Sequence, residues 1–282
     1  MPNTTDLYVL TTLSNLHVGR GDSNYGIVDN EVQRDPTTNY PAIFASSLKG
    51  ALREAFRKND SIPDSDVIDI FGSKVDEQEK LHPGSHIFYQ GHLLSLPVRG
   101  EAHPFYHGVS PTLLSDLQEL LETLLPQKDT LINRVTAART EAGKVSTVQG
   151  PGNEAIDEFM ATRMSNDLDE TFARLAESRL LPRPFALLPD KQFGQVVDRL
   201  PVIARNQLKK GISKNLFYEE VVPRQSRFYF FVERPQGDDT LHEFLTDKNM
   251  LNNRLQLGAN ATVGYGVCRV KRVASTQENS AA

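Results

Sequence analysis

A lone carboxylate, Asp29, sits in a short apolar stretch, Gly26-Ile27-Val28-Asp29, ahead of the polar pair Gln33-Arg34. Further along, Ser46 and Ser47 open a segment carrying Lys49, Arg53 and Arg57 at four-residue spacing. In a helix that spacing puts the three cations on one face. Leu48, Ala51, Leu52, Ala55 and Phe56 then form the opposite, buried stripe. A helix N-terminus offers free N–H groups and a positive dipole to an anion. With the cations below it, this makes a backbone-phosphate seat with an acid nearby. The same residues also fit a plain amphipathic helix whose basic face is merely solvated, and the segment alone does not separate the two.

His17 precedes Gly19 and Gly21 in a loop and could lie near Asp29; its alternative is a surface hydrogen-bonding group. Glu219-Glu220 could ligate a metal or salt-bridge the basic tip of the 201–222 segment, and the second reading is the simpler one. His82/His86 and His103/His107 are each spaced by four, but their segments are turn-like and no cysteine completes a tetrahedral zinc site. The loop from Gly258 through Gly264 to Gly266 lacks the Gly-Lys-Ser/Thr ending of a P-loop. Its glycines allow close backbone approach to a phosphate chain, or simply a hairpin turn. Phe228-Tyr229-Phe230-Phe231 alternates faces in a strand and reads as core rather than as a base-stacking platform.

These groups need a folded scaffold, and the chain can build one. Its 282 residues are 39% hydrophobic and 24% charged, the composition of an ordinary globular chain. No apolar run is long enough to span a bilayer, and residues 1–6 lack the pattern of a signal peptide. The single cysteine, Cys268, excludes an intrachain disulfide and fits a reducing, cytoplasmic setting. A net charge of −5 argues against a generic nucleic-acid binder. The charge is segregated, however. Residues 199–214 hold Arg199, Arg205, Lys209, Lys210 and Lys214 with no acid, whereas acids crowd residues 60–79 and 154–170. A basic groove in an acidic molecule is compatible with that distribution.

The pattern predicts a strand over 6–15, an extended piece over 25–32, and the helix over 46–58. Residues 59–84 are polar and punctuated by Pro63, Gly72, Pro83 and Gly84. Two short strands around Gly91 occupy 86–98, and a helix covers 111–125 with Ser110 as its cap. Periodicity fails over 127–152, which reads as an exposed insertion, and 155–180 reads as a second helix. Residues 201–222 have hairpin character with a polar tip at 206–215. A strong strand at 227–233, a short helix at 240–250 and a strand pair over 255–273 follow, and 274–282 reads as a disordered tail. Strands and helices mix without βαβ alternation, so the expected class is α+β.

Several of these segments, taken in order, resemble the repeat-associated (RAMP) proteins of CRISPR immunity. They are Gly26-Ile27-Val28-Asp29, Gln33-Arg34, Ser46-Ser47-Leu48-Lys49-Gly50-Ala51-Leu52-Arg53, Leu93-Leu94 with Pro97-Val98-Arg99, Leu216-Phe217-Tyr218-Glu219-Glu220 with Pro223, and Thr262-Val263-Gly264-Tyr265-Gly266. The nearest likeness is to the backbone subunits of type III-B (Cmr) effectors, and it runs from about residue 6 to 271. The resemblance implies one domain over 1–273: an RRM-like (ferredoxin-like) palm with insertions at about 59–84 and 127–185, and a β-hairpin thumb at about 201–222. It implies copies stacked along a CRISPR RNA (crRNA), other Cmr subunits beside them, and a target single-stranded RNA paired to the guide. Each thumb would displace one nucleotide of the duplex, and a loop carboxylate matching Asp29 would support cleavage dependent on Mg2+ or another divalent cation. Asp29 would act as metal ligand or base, with His17 as acid–base or phosphate ligand. Gln33, Arg34, Ser46, Ser47, Lys49, Gly50, Arg53, Arg57, Arg205, Lys209, Lys210, Lys214, Gly258, Gly264 and Gly266 would grip RNA backbone. Ala45 and Ala259 stand where the family favours glycine, and Tyr265 stands where it is often basic.

Three functions compete. The first is a target-RNA endonuclease that also scaffolds its complex. The second is a non-catalytic RNA-binding scaffold. The third is a guide-processing RNase that would cut repeat RNA without metal by histidine chemistry.

Overall fold

The computed structural model describes residues 3–21, 28–73, 82–140, 146–150, 153–209 and 212–273. In chain order the elements are β1 (Asn3–Thr12), α1 (Ala45–Arg57), α2 (Asp64–Phe71), β2 (Ile87–Phe88), β3 (His92–Val98), β4 (Tyr106–Val109), α3 (Pro111–Leu124), α4 (Asp129–Thr140), β5 (Thr147–Val148), β6 (Glu154–Ile156) and β7 (Phe159–Arg163). They continue with α5 (Asn166–Glu177), β8 (Phe185–Leu187), α6 (Asp190–Val197), β9 (Val202–Lys209), β10 (Ile212–Glu220), β11 (Arg227–Pro235), α7 (Thr240–Thr246), β12 (Arg254–Gln256), a 3-10 turn (Ala261–Val263) and β13 (Val267–Arg272). Helices and strands mix, and the strand pairs include parallel ones, β4 with β8 and β5 with β7.

The chain divides into two compact units. The first comprises residues 1–92, 200–224 and 229–272, and the second residues 93–199, 225–228 and 273–282. In the first unit the strands run β12-β13-β1-β11, with β2 on β11. β1 pairs antiparallel with β13, Tyr8 facing Arg272 and Thr12 facing Cys268. Apolar β1 residues Leu7, Tyr8, Val9 and Leu10 are at most 4% exposed, and the Tyr8 ring stacks on Phe230 with centroids 5.3 Å apart. Helix α1 buries Leu48, Leu52 and Phe56 of the five-residue stripe its spacing predicts, while Ala51 and Ala55 stay half-buried. The Phe56 ring meets Phe71 of α2 at 5.3 Å and Phe244 of α7 at 5.6 Å. The aromatic run 228–231 is wholly buried, as expected of core. Burial pushes the Cys268 thiol up to about 12, so it packs as a small hydrophobe rather than reacting.

In the second unit the strands run β3-β4-β8-β5-β7-β6. Ser110 caps α3 by accepting a hydrogen bond from the Leu113 N–H, with Pro111 in the first turn, as the sequence predicts. Three expectations fail here or nearby. Residues 155–180 are not one helix: a tight hairpin, β6–β7, precedes α5, and Asp157 in its turn adopts φ 51°. Helix α5 starts only at Asn166, where Ser165 accepts from the Leu168 N–H at 3.2 Å. Within 127–152 there is a helix, α4, because Leu131, Val135 and Ala138 fall on one buried face at helical spacing. Within the polar 59–84 segment lies α2, whose Asp64 and Asp66 favour its first turn while Val67, Ile70 and Phe71 are buried. Residues 22–27 of the expected extended piece and the tail at 274–282 lie outside the described residues. No helix of the described residues is long and apolar enough to cross a membrane.

Candidate functional site

Strands β9 and β10 form a separate two-stranded antiparallel ribbon, with Arg205 facing Phe217, Ala204 facing Tyr218 and Val202 facing Glu220. This ribbon occupies the segment expected to be the thumb. Two-residue alternation sends Val202, Leu216 and Tyr218 outward, where they are 46%, 53% and 39% exposed, while Glu219 is buried. The side chains of 207–213, including Lys209 and Lys210, lie outside the described residues, and Lys214 is exposed.

Asp29 is exposed and laced to the foot of β10. Its Oδ2 accepts the Tyr218 N–H at 2.7 Å, and its own N–H donates to the Tyr218 carbonyl at 3.1 Å. Asn30 forms a parallel bridge with Glu219, and the Glu220 N–H donates to the Asn30 carbonyl at 2.9 Å. Among the described residues the carboxylate is held through Oδ2, with Asp29 at the surface.

Behind Asp29 lies a buried polar network. Glu220 accepts the Val32 N–H at 3.0 Å and makes a direct ion pair with the Arg34 guanidinium, which also donates to the Asn39 carbonyl at 2.9 Å. Glu219 accepts both contacts of the Asn260 amide, at 2.8 and 3.0 Å, and pairs with Arg205 at 3.3 Å. His17 is 5% exposed rather than a surface group. Its Nδ1 lies 2.7 Å from the Glu220 carbonyl and its Nε2 lies 3.8 Å from Glu219. The sequence left Glu219-Glu220 open between metal ligation and a salt bridge to the basic tip; Glu219 does pair with Arg205 of the ribbon, but the partner of Glu220 is Arg34, outside it. β10 thus brings Asp29 and His17 into one neighbourhood, one at the surface and the other within.

Gln33 is buried and ties three segments together. Its Nε2 donates to the Gly19 carbonyl at 3.2 Å and to Ser47 Oγ at 2.9 Å, and its Oε1 accepts the Phe44 N–H at 2.8 Å. No side chain caps α1, whose N-cap is Phe44, while Ser46 and Gly50 are exposed. The three cations expected to act alike do not. Lys49 lies over the Phe88 ring at 5.8 Å, Arg53 donates to the Gly72 carbonyl at 2.8 Å and so closes α2, and Arg57 is exposed. Gly258 and Gly266 adopt φ +75° and +70°, and a Cβ would sit 2.2 Å from the His17 carbonyl or 1.9 Å from that of Leu257. Gly264, at φ +83°, has open space around it. A cleft of about 410 Å³ lies between α1 and this loop, lined in part by Gln33, Ser47, Glu54, Gln256 and Gly258.

The sequence reading missed Asn260. Its position between glycines in a turn was the available signal, since asparagine tolerates the left-handed region it occupies at φ +63°. No cluster of three or more His, Cys, Asp or Glu side chains among the described residues is placed to hold a metal ion. Asp29 therefore fits a divalent cation only as one ligand, the rest coming from water and phosphate, a mode Mg2+ commonly uses.

The model of the RAMP superfamily matches residues 9–269. The chain is 25% identical over 283 residues to "CRISPR system Cmr endoribonuclease Cmr4" of Pyrococcus furiosus, covering 93% of each. It is 25% identical over 299 residues to "CRISPR system CMR subunit Cmr4" of Saccharolobus solfataricus, covering 94% of this chain and 95% of the relative. Among solved structures it resembles a chain of "Type III-B Cmr-beta bound to cognate target RNA", with TM-score 0.78, 20% identity and coverage of 95% and 97%. It also resembles "oligomeric Cmr4 from Pyrococcus furiosus", with TM-score 0.68, 21% identity and coverage of 95% and 97%.

Proposed function

This chain belongs to the RAMP superfamily, and from that premise we propose that it is a backbone subunit of a type III-B CRISPR effector that cleaves guide-paired target RNA at Asp29. The first unit serves as the RRM-like palm and the β9–β10 ribbon as the thumb. Copies assemble head to tail along a crRNA in the cytoplasm, with other Cmr subunits and the target single-stranded RNA as partners; heterologous contacts of that kind build open filaments. The curated relatives named above, one of them an endoribonuclease of the Cmr system, support this reading over almost the whole chain.

The observation that carries the catalytic part is the placement of Asp29: a surface carboxylate fixed by backbone hydrogen bonds to the foot of the hairpin. Where the thumb displaces a nucleotide, the backbone is freed for in-line attack of a ribose 2′-oxygen on the adjacent phosphorus. Asp29 Oδ1 accepts the hydroxyl proton, a P–O bond forms to the 2′-oxygen, and the bond to the 5′-oxygen breaks, that oxygen taking a proton from water. A divalent cation, when bound, offsets phosphate charge. His17, buried against Glu219 and Glu220, holds the β10 foot in place. In this reading the exposed Ser46, Arg57 and Lys214 contact guide phosphates, and sequence is read by base pairing rather than by these contacts.

The test is the assembled complex, with guide and labelled target, carrying Asp29→Asn. Regularly spaced cutting should fall by at least about 100-fold, in the range of a lost general base, with target binding retained. Chelation by EDTA should abolish cutting by the unaltered complex. Undiminished cutting by the variant would remove Asp29 from the chemistry. The carboxylate, with no cluster of metal ligands around it among the described residues, favours a non-catalytic scaffold as the second reading, and that reading predicts no guide-dependent products from the unaltered complex.

A further inference from the structure

We propose that Asn260 is a positioning residue for the cleavage reaction, acting through Glu219 to hold the hairpin foot that carries Asp29. This rests on the cleavage reading above. Glu219 is 4% exposed, and burying a carboxylate is costly unless charge and hydrogen-bond partners surround it. Each partner arrives from a different segment. Arg205 comes from the other strand of the ribbon and lies over the rings of Phe217 at 5.7 Å and Tyr265 at 5.9 Å. His17 comes from the segment after β1. Asn260 comes from the glycine loop and sets its amide across both carboxylate oxygens.

The loop can deliver that amide because its glycines allow close approach. Gly258 packs against the His17 carbonyl, which also accepts the Ala259 N–H at 2.9 Å, and Asn260 follows at once in the left-handed region. Glu219 in turn directly follows Tyr218, whose N–H and carbonyl hold Asp29, and is bridged to Asn30. A shift of the Glu219 side chain therefore reaches the reacting carboxylate through one peptide unit. The glycine loop, expected on sequence grounds to meet RNA, is on this geometry also the brace of the thumb.

Asn260→Gly is the discriminating variant, because glycine keeps the positive φ without strain and removes only the amide. Glu219→Gln, which keeps the shape but removes the charge facing Arg205, is the second. Two measurements apply: single-turnover cleavage and target affinity in the assembled complex, and amide hydrogen exchange over residues 28–32 and 214–222 of the isolated chain. Both variants should cut about tenfold more slowly at saturating target, less than the hundredfold that about 1 Å of misplacement costs. Target affinity should stay unchanged, and exchange over both segments should rise. Unchanged exchange, lost affinity with an unchanged rate, or faster exchange with full-speed cutting would each overturn the proposal. If the unaltered complex does not cut, the cleavage reading fails and positioning fails with it, while exchange still reports whether Asn260 braces the foot.

Discussion

Replacing Arg34 by methionine tests what clamps the Asp29 loop to the hairpin. The Arg34 and Glu220 side chains are 12% and 10% exposed, and among the described residues the Glu220 carboxylate also accepts the Val32 N–H at 3.0 Å. Methionine keeps the apolar stem of arginine but leaves a carboxylate charge in a nearly dry site. Removing one partner of a buried pair costs about 3–5 kcal/mol, and the surviving Val32 contact places this case near about 3 kcal/mol. At about 2–4 °C per kcal/mol for a chain of this size class, Tm should fall by about 6–12 °C. Glu220→Gln should cost less, about 1–2 kcal/mol. The amide oxygen can still accept from Val32, and Arg34 keeps the Asn39 carbonyl. The double variant, with neither charge left, should recover about 2 kcal/mol relative to the sum of the two. Equilibrium urea unfolding of the four proteins measures each quantity. Single losses below about 1 kcal/mol with additive behaviour would mean an ordinary solvated pair and would refute the reasoning.

Burial, with Arg227 adding repulsion, holds His107 down to about 4. A histidine kept neutral in the fold gives stability that is complete above its unfolded value near 6.5 and is lost as pH falls toward 4, a total of about 3 kcal/mol. Urea midpoints between pH 7 and 4.5 should therefore drop more steeply for the unaltered chain than for His107→Phe; parallel slopes would contradict this. Gly258→Ala places a methyl 2.2 Å from the His17 carbonyl at φ +75°, so the loop must move or the chain must lose stability. The expected loss is at least about 1 kcal/mol from backbone strain alone, read by the same unfolding assay, and an unchanged midpoint would show that the loop is not packed against His17.

Where one residue property decides the outcome, the sequence was readable. The α1 stripe, the Ser110 cap and the aromatic core all follow from period, hydroxyl placement and bulk. The hairpin at 202–220 was legible from its two β-rich arms. Residues 155–180 were misread because Asp157 turns the chain in the left-handed region, which no periodicity announces. Helix α4 was missed because its buried face is thin, two aliphatics and one alanine. At the site, Asp29 could be singled out as a lone acid, but its tie to Tyr218 spans 189 positions, and local spacing carries no trace of such a contact. Arg53 illustrates the same limit: helical spacing put it beside Lys49 and Arg57, while a carbonyl at the end of another helix claimed it.

The placement of β1 has a consequence for biosynthesis. It lies between β13 and β11, so Tyr8 waits for Arg272 before its antiparallel neighbour exists. While the ribosome is still working, Leu7, Tyr8, Val9 and Leu10 form a naked apolar ribbon of the sort that holdase chaperones bind and that aggregates when unprotected. Residues 93–199, nearly contiguous, can close on themselves meanwhile. β1 is thus among the last pieces of this fold to find its seat, and slow translation up to β13 lengthens its exposure.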